Sequence, residues 1–141
     1  MTGLQTALNA KAGLLFADTY YFTVNAVLST NPALYTDLSN SGKTINLPAG
    51  TAVITWSTSC YSAAGAGFYR FRPIIGTLAP DVGNALYTNE QLSHKQVSGS
   101  WVVSIPKAGL YSVRLQAFKE AGGALDQDGA DYMNWSIIVF N

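Results

Sequence analysis

Charge is what this chain has least of. Lys, Arg, Asp and Glu together make up 11% of its 141 residues, and eight basic side chains cancel eight acidic ones; soluble domains usually carry about 25%. Near-zero net charge promotes association, so a surface this poor in charge is easier to understand if other subunits cover part of it. Nucleic acid is excluded as a partner, because no surplus of Lys or Arg exists to neutralise phosphates and the basic residues are scattered. The single cysteine, Cys60, rules out an intrachain disulfide and fits assembly inside a cell. It lies in a strand-like run, where it reads as a small buried hydrophobe. No run reaches the ~18 apolar residues of a membrane helix. The opening stretch MTGLQTALNAKAGLLFA has its lysine in the middle and no long apolar run after it, so it does not read as a signal peptide.

Strand signals are abundant. After residue 19, β-branched and aromatic residues come in short runs separated by Gly, Pro, Asn and Ser at intervals of about ten residues, as in an all-β sandwich or barrel. Strands are expected at 20–28, 34–38, 43–47, 51–60, 67–75, 85–96, 100–105, 110–119 and 132–140. In the run from Leu110, Tyr111, Val113, Leu115 and Ala117 alternate with Ser112, Arg114 and Gln116, which makes one face apolar and the other wet. Residues 1–18 read as a short N-terminal helix or extended arm: Thr2 and Gln5 have capping-box spacing, Leu4 and Leu8 sit four apart, and Gly13 is placed to close the segment. Residues 19–141 form the sandwich domain.

One motif occurs twice. Leu47-Pro48-Ala49-Gly50 and Ile105-Pro106-Lys107-Ala108-Gly109 each stand between two strand runs, and each second run leads through a Gly/Ala loop to a third. Proline presets φ near −65° and glycine accepts φ > 0, so each motif predicts a chain reversal with the next strand in register. Pro48, Gly50, Pro106 and Gly109 are therefore architectural. Two such units, each burying one face, predict a two-sheet jelly-roll β-sandwich of about eight strands.

Candidate chemistry is sparse. His94 is the only histidine, and no Gly-x-Ser-x-Gly accompanies it; a rim or strand residue hydrogen-bonded at a subunit contact is the commoner fate. In LDQDGAD, Asp126, Asp128 and Asp131 miss the EF-hand spacing, since Gly129 follows the second Asp directly and no Glu follows. The loop is either a gatherer of a hard cation through carboxylates and carbonyls or a solvated Asp/Gly hairpin. No catalytic set, cofactor or metal site is assigned. In FYRFRP, alternation sends Phe68, Arg70 and Arg72 to one face and Tyr69 and Phe71 to the other. Such interleaving could stack bases or sugars; the plainer expectation is rings packed inward and arginines offered to a neighbouring subunit or to capsid acids. The residues expected to meet a partner are Leu4, Leu8, Leu14, Leu15 and Phe16, in an arm of the kind that orders on binding, together with Arg70 and Arg72.

The run from Trp101 to Gln116, WVVSIPKAGLYSVRLQ, with the closing strand Trp135-Ser-Ile-Ile-Val-Phe140, resembles the jelly-roll heads of the tumour necrosis factor and complement type. It is still more similar to the small β-sandwich proteins of bacteriophage virions, either capsid decoration (cement) proteins or tail-fibre heads. The doubled turn departs from the single copy usual in complement-type heads. The resemblance, from about residue 34 onward, implies a homotrimer around a threefold axis that is not an enzyme. Because the chain starts at Met1 and is nearly all sandwich, a decoration protein on the major capsid protein is expected, residing in the virion and assembled in the host cytoplasm. No nucleic acid, membrane or cofactor is expected. The alternative is a receptor-binding or carbohydrate-binding head, which predicts exposed aromatics at the loop tips near 61–67 or 121–132.

Overall fold

The computed structural model describes residues 13–23, 26–28 and 34–141, and every regular element among them is a strand. In chain order these are β1 (Leu14–Thr23), β2 (Ala26–Leu28), β3 (Thr36–Asp37), β4 (Lys43–Leu47), β5 (Gly50–Ser62), β6 (Gly67–Ile75), β7 (Asn84–Thr88), β8 (Lys95–Ile105), β9 (Gly109–Gly122), β10 (Leu125–Gln127) and β11 (Tyr132–Phe140). One sheet places β11 between β1 and β5, with β8 on the other side of β5; β10 and β2 prolong the rows of β11 and β1. The second sheet runs β9-β6-β7, with β3 and β4 successively on the free side of β9. Counted as rows, β1/β2, β10/β11, β5 and β8 face β3/β4, β9, β6 and β7, so each sheet has four rows. This is the two-sheet jelly roll of about eight strands that the alternation predicts.

The doubled corner does a different job from the one expected. β4 lies in the second sheet and β5 in the first, while β8 lies in the first and β9 in the second. Each Pro-Gly corner thus carries the chain across the sandwich and does not reverse it within a sheet. The corners lie side by side, with Leu47 opposite Gly109 and Gly50 opposite Ile105. The far loops also cross as a pair, tied by Ala63 N–H to the Ala124 carbonyl (2.9 Å) and Gly123 N–H to the Ala66 carbonyl (3.0 Å). The two repeat units therefore interlock, each contributing to both sheets, and the expectation of one face per unit is not met. Gly50 has φ +148°, and a Cβ there would land on the Phe140 carbonyl oxygen of β11. Gly109 has open space around it and no such φ, so only the first of the two corner glycines is demanded by geometry.

Strand boundaries differ most at β1 and before β8; in addition, the strand expected at 34–38 shortens to Thr36–Asp37, and β10 forms inside the stretch expected as a loop. The strand expected from residue 20 begins at Leu14, so Leu14, Leu15 and Phe16 belong to the sheet beside β11, while residues 1–12, with the expected capping box, Leu4 and Leu8, lie outside the described residues. Asp18 concealed this strand, because Asp is depleted in sheets. Here the carboxylate is satisfied on an edge by the Tyr20 hydroxyl (2.5 Å) and the Thr19 N–H (2.8 Å). The run expected at 85–96 breaks after Thr88 into a loop, where Leu92 takes φ +55°, and Lys95–Ile105 forms one strand.

The core is filled by the inward positions of both sheets. Ala52, Ile54, Trp56 and Cys60 of β5 and Met133, Trp135, Ile137 and Val139 of β11 meet Tyr69, Phe71 and Ile75 of β6 and Val113, Leu115 and Ala117 of β9. Trp56 packs on Phe71 across the sheets (centroids 6.2 Å apart), and Tyr20 covers Trp135 at 4.3 Å. The interruption between β3 and β4 is repaired by buried Ser41, whose hydroxyl donates to the Leu115 carbonyl and accepts from the Leu115 N–H, both at 3.1 Å. Cys60 is wholly buried, and burial, with the charge of Asp131 adding to it, pushes its thiol from 9.0 up to about 12. A thiol reagent at pH 8 is therefore expected to label Cys60 only after unfolding. The native state binds this proton more tightly than the unfolded chain does. Stability should accordingly decline as pH rises from about 9 towards 12, as followed by denaturant midpoints.

Candidate functional site

The two outer faces of the sandwich differ in chemistry. On the sheet built around β5, the outward side chains fall into cross-strand rows: Ala17, Ile138, Val53 and Val102; Thr19, Ser136, Thr55 and Ser100; Tyr21, Asn134, Ser57 and Ser98. Phe140, Thr51 and Ser104 extend the face towards the corners. None of these side chains is charged. Tyr21 and Val102 are exposed (67% and 61%), and hydroxyls pair along the face, as in Thr55 with Ser136 (2.6 Å) and Ser57 with Asn134 (2.7 Å). Such a surface is cheap to desolvate, because it asks for no buried ion.

Charge is gathered on the other sheet and largely consumed there. Arg114 donates to Asp37 (2.6 Å), Gln116 donates to the second Asp37 oxygen (2.8 Å), and Arg72 donates to Gln116 (3.0 Å) and to the Pro80 carbonyl (3.0 Å). Arg70 pairs with Glu120 at 2.6 Å. Tyr69 and Phe71 are buried, as the alternation predicts, and Phe68, Arg70 and Arg72 point the other way. Both arginines are thus half-buried and already engaged within the chain. Beside them a groove of about 440 Å³ is lined by Leu34, Tyr35, Arg72, Asp81 and Phe118. Arg72 lies over the Tyr35 ring at 3.9 Å, and Tyr35 meets Phe118 at 5.7 Å.

At the end of the sandwich away from the corners, the loop before β8 meets the segment between β10 and β11. That segment is no hairpin: Asp126 pairs with Tyr61 and Met133 with Thr58, so the chain continues along β5 and residues 128–131 bulge outward. Asp131 is not solvated there but wholly buried. Its Oδ1 lies 2.9 Å from His94 Nδ1, and its Oδ2 accepts the Asp128 N–H at 2.9 Å. Asp128 Oδ2 stands 3.8 Å from His94 Nε2, while its Oδ1 accepts the Ala130 N–H at 2.8 Å. The Tyr61 ring packs on the imidazole at 4.8 Å. Burial first, then a hydrogen bond to Asp126 and the charges of Asp126, Asp128 and Asp131, hold the Tyr61 hydroxyl above its usual value of 10.0. The sequence places His94 far from the aspartates, and only the β5–β8 and β5–β10 pairings bring them together. Both ring nitrogens face carboxylates, and among the described residues no hydroxyl or thiol hydrogen-bonds to the imidazole.

No protein-family model matches this sequence, and no curated protein matches it. Among solved structures, the chain is similar to the globular domain of a zebrafish complement 1qA protein, with a TM-score of 0.51 and 16% identity over 89% of this chain and 96% of that one. The fold is a jelly roll. A chain in the structure of infectious bursal disease virus, Gx strain, gives a TM-score of 0.54 at 7% identity over 90% of this chain, which spans 33% of that one. The PRD1 vertex protein P5 is a further neighbour, with a TM-score of 0.46 and 14% identity over 92% of this chain and 99% of that one. Above a TM-score of 0.5 these neighbours are thus a chain of a virus structure and a complement domain. At these identities the likeness is one of fold.

Proposed function

We propose that this chain is a non-enzymatic structural protein of a bacteriophage virion, a homotrimer that decorates the capsid and stabilises the shell of major capsid protein. The observation that carries this reading is the uncharged outer face of the β1-β11-β5-β8 sheet. A second and a third copy packed on such faces around a threefold axis would bury hydroxyls, Val53, Val102 and Ile138 without burying an ion, and would account for a surface so poor in charge. The fold shared with a chain of a virus particle supports the same reading. Capsid contact is assigned to Leu4 and Leu8, ahead of β1, and to Leu14, Leu15 and Phe16 at its start. Arg70 and Arg72, half-buried on the opposite sheet, are assigned the polar part of a capsid contact. The protein assembles in the host cytoplasm and resides in the virion.

A second reading, a glycan-binding head, is favoured by one observation, the groove in which Tyr35 and Phe118 offer ring faces and Arg72 and Asp81 offer polar ends. The loop-tip aromatics first expected to form such a site are occupied, Tyr61 by His94 and Tyr132 by Tyr21. Co-sedimentation of the purified chain with phage shells lacking it separates the two readings. Saturable binding in multiples of three, without signal on a glycan array, is the expected outcome. A specific glycan signal with no shell binding would replace decoration by the second reading.

A further inference from the structure

We propose that His94, Asp128 and Asp131 bind a divalent transition-metal ion, with zinc the first candidate. One imidazole nitrogen and two carboxylate oxygens, brought from two separate segments, lie within 4.8 Å of one another. Two ligands at about 2.1 Å from one ion stand at most about 4.2 Å apart. At tetrahedral angles they stand about 3.4 Å apart, so closing the shell takes shifts of up to about 1.5 Å, made by the two side chains that reach solvent: His94 and Asp128 are 44% and 49% exposed. Asp131 is the fixed member, wholly buried and with no Lys or Arg within ion-pair distance among the described residues. A buried carboxylate is costly without a compensating cation, and a metal ion opposite it would supply one.

The remaining hydrogen bonds suit this assignment. The Asp128 and Ala130 N–H groups occupy Asp131 Oδ2 and Asp128 Oδ1, while Asp131 Oδ1 faces Nδ1 and Asp128 Oδ2 faces Nε2; an ion would replace the Asp131–His94 hydrogen bond at Nδ1, and Asp128 would turn to that side. The Tyr61 ring packs against the imidazole. A nitrogen ligand favours zinc and its transition-metal neighbours over calcium or magnesium, which prefer all-oxygen shells. Three protein ligands on an open rim leave the remaining positions to water. The ion would clamp the loop before β8 to the bulge between β10 and β11, and this role does not depend on the virion reading.

The test uses the tag-free full chain, stripped with chelator and titrated with zinc, manganese or calcium, reading stoichiometry by calorimetry and thermal stability by circular dichroism. One zinc per chain is expected, with a melting temperature raised by about 5 °C or more at saturation. His94→Gln and Asp128→Asn, both at half-exposed positions, should fold with metal-free melting temperatures within about 2 °C of the parent and bind zinc at least about tenfold more weakly. Since His94 is the only histidine, no other imidazole can mimic the site. Failure to bind one zinc per chain, unchanged affinity in both variants, or calcium binding as tight as zinc and indifferent to His94 would each overturn the assignment.

Discussion

Gly50→Ala is expected to destabilise the fold by about 3 kcal/mol or more, and Gly109→Ala by no more than about 0.5 kcal/mol, although both glycines close the same motif. At Gly50 two penalties combine. With φ +148° the backbone lies where a Cβ is rarely accepted, and the added methyl would meet the Phe140 carbonyl oxygen. That carbonyl cannot retreat without loosening the strand partnership in which Thr51 faces Phe140. At Gly109 nothing stands within 4 Å of a built Cβ, so alanine should lower only the freedom of the unfolded chain. Urea midpoints of the two variants check the contrast; equal losses would mean that the corners are equivalent after all.

Thr55→Lys is the second large effect, and it falls on assembly. Thr55 is exposed and lies near the middle of the uncharged face, in the row of Thr19, Ser136 and Ser100. In a single chain a lysine there reaches water and should change stability by less than about 1 kcal/mol. In a trimer packed on this face the ammonium is buried without a partner, which costs several kcal/mol at each contact. Self-association should weaken by at least about a hundredfold, whereas lysine at Ser112, an exposed position on the opposite sheet, should leave it unchanged.

Much of this architecture was legible because alternation is a local signal. The buried faces of β5, β6, β9 and β11 follow from residue parity, and so do the inward Tyr69 and Phe71. The route of the chain was not legible, because Pro-x-Gly serves equally for a hairpin and for a corner between sheets. Which one it makes is decided by pairings such as Leu47 with Gly109, far apart in sequence. β1 was partly hidden by Asp18, whose partners sit one and two residues away but matter only on a sheet edge. No periodicity in the sequence joins His94 to Asp131. The low charge was plain from composition, yet its restriction to one sheet needed the register of four rows. The same composition offered no hint that Arg70 and Arg72 were already engaged by Glu120 and Gln116.

The mass of the purified full chain in solution decides most directly between a trimer and a single chain. Sedimentation at micromolar concentration should give about three times the 15.0 kDa of one chain, falling to a single chain's mass in Thr55→Lys. A parent that sediments at 15.0 kDa, or a Thr55→Lys variant that stays assembled, would contradict it.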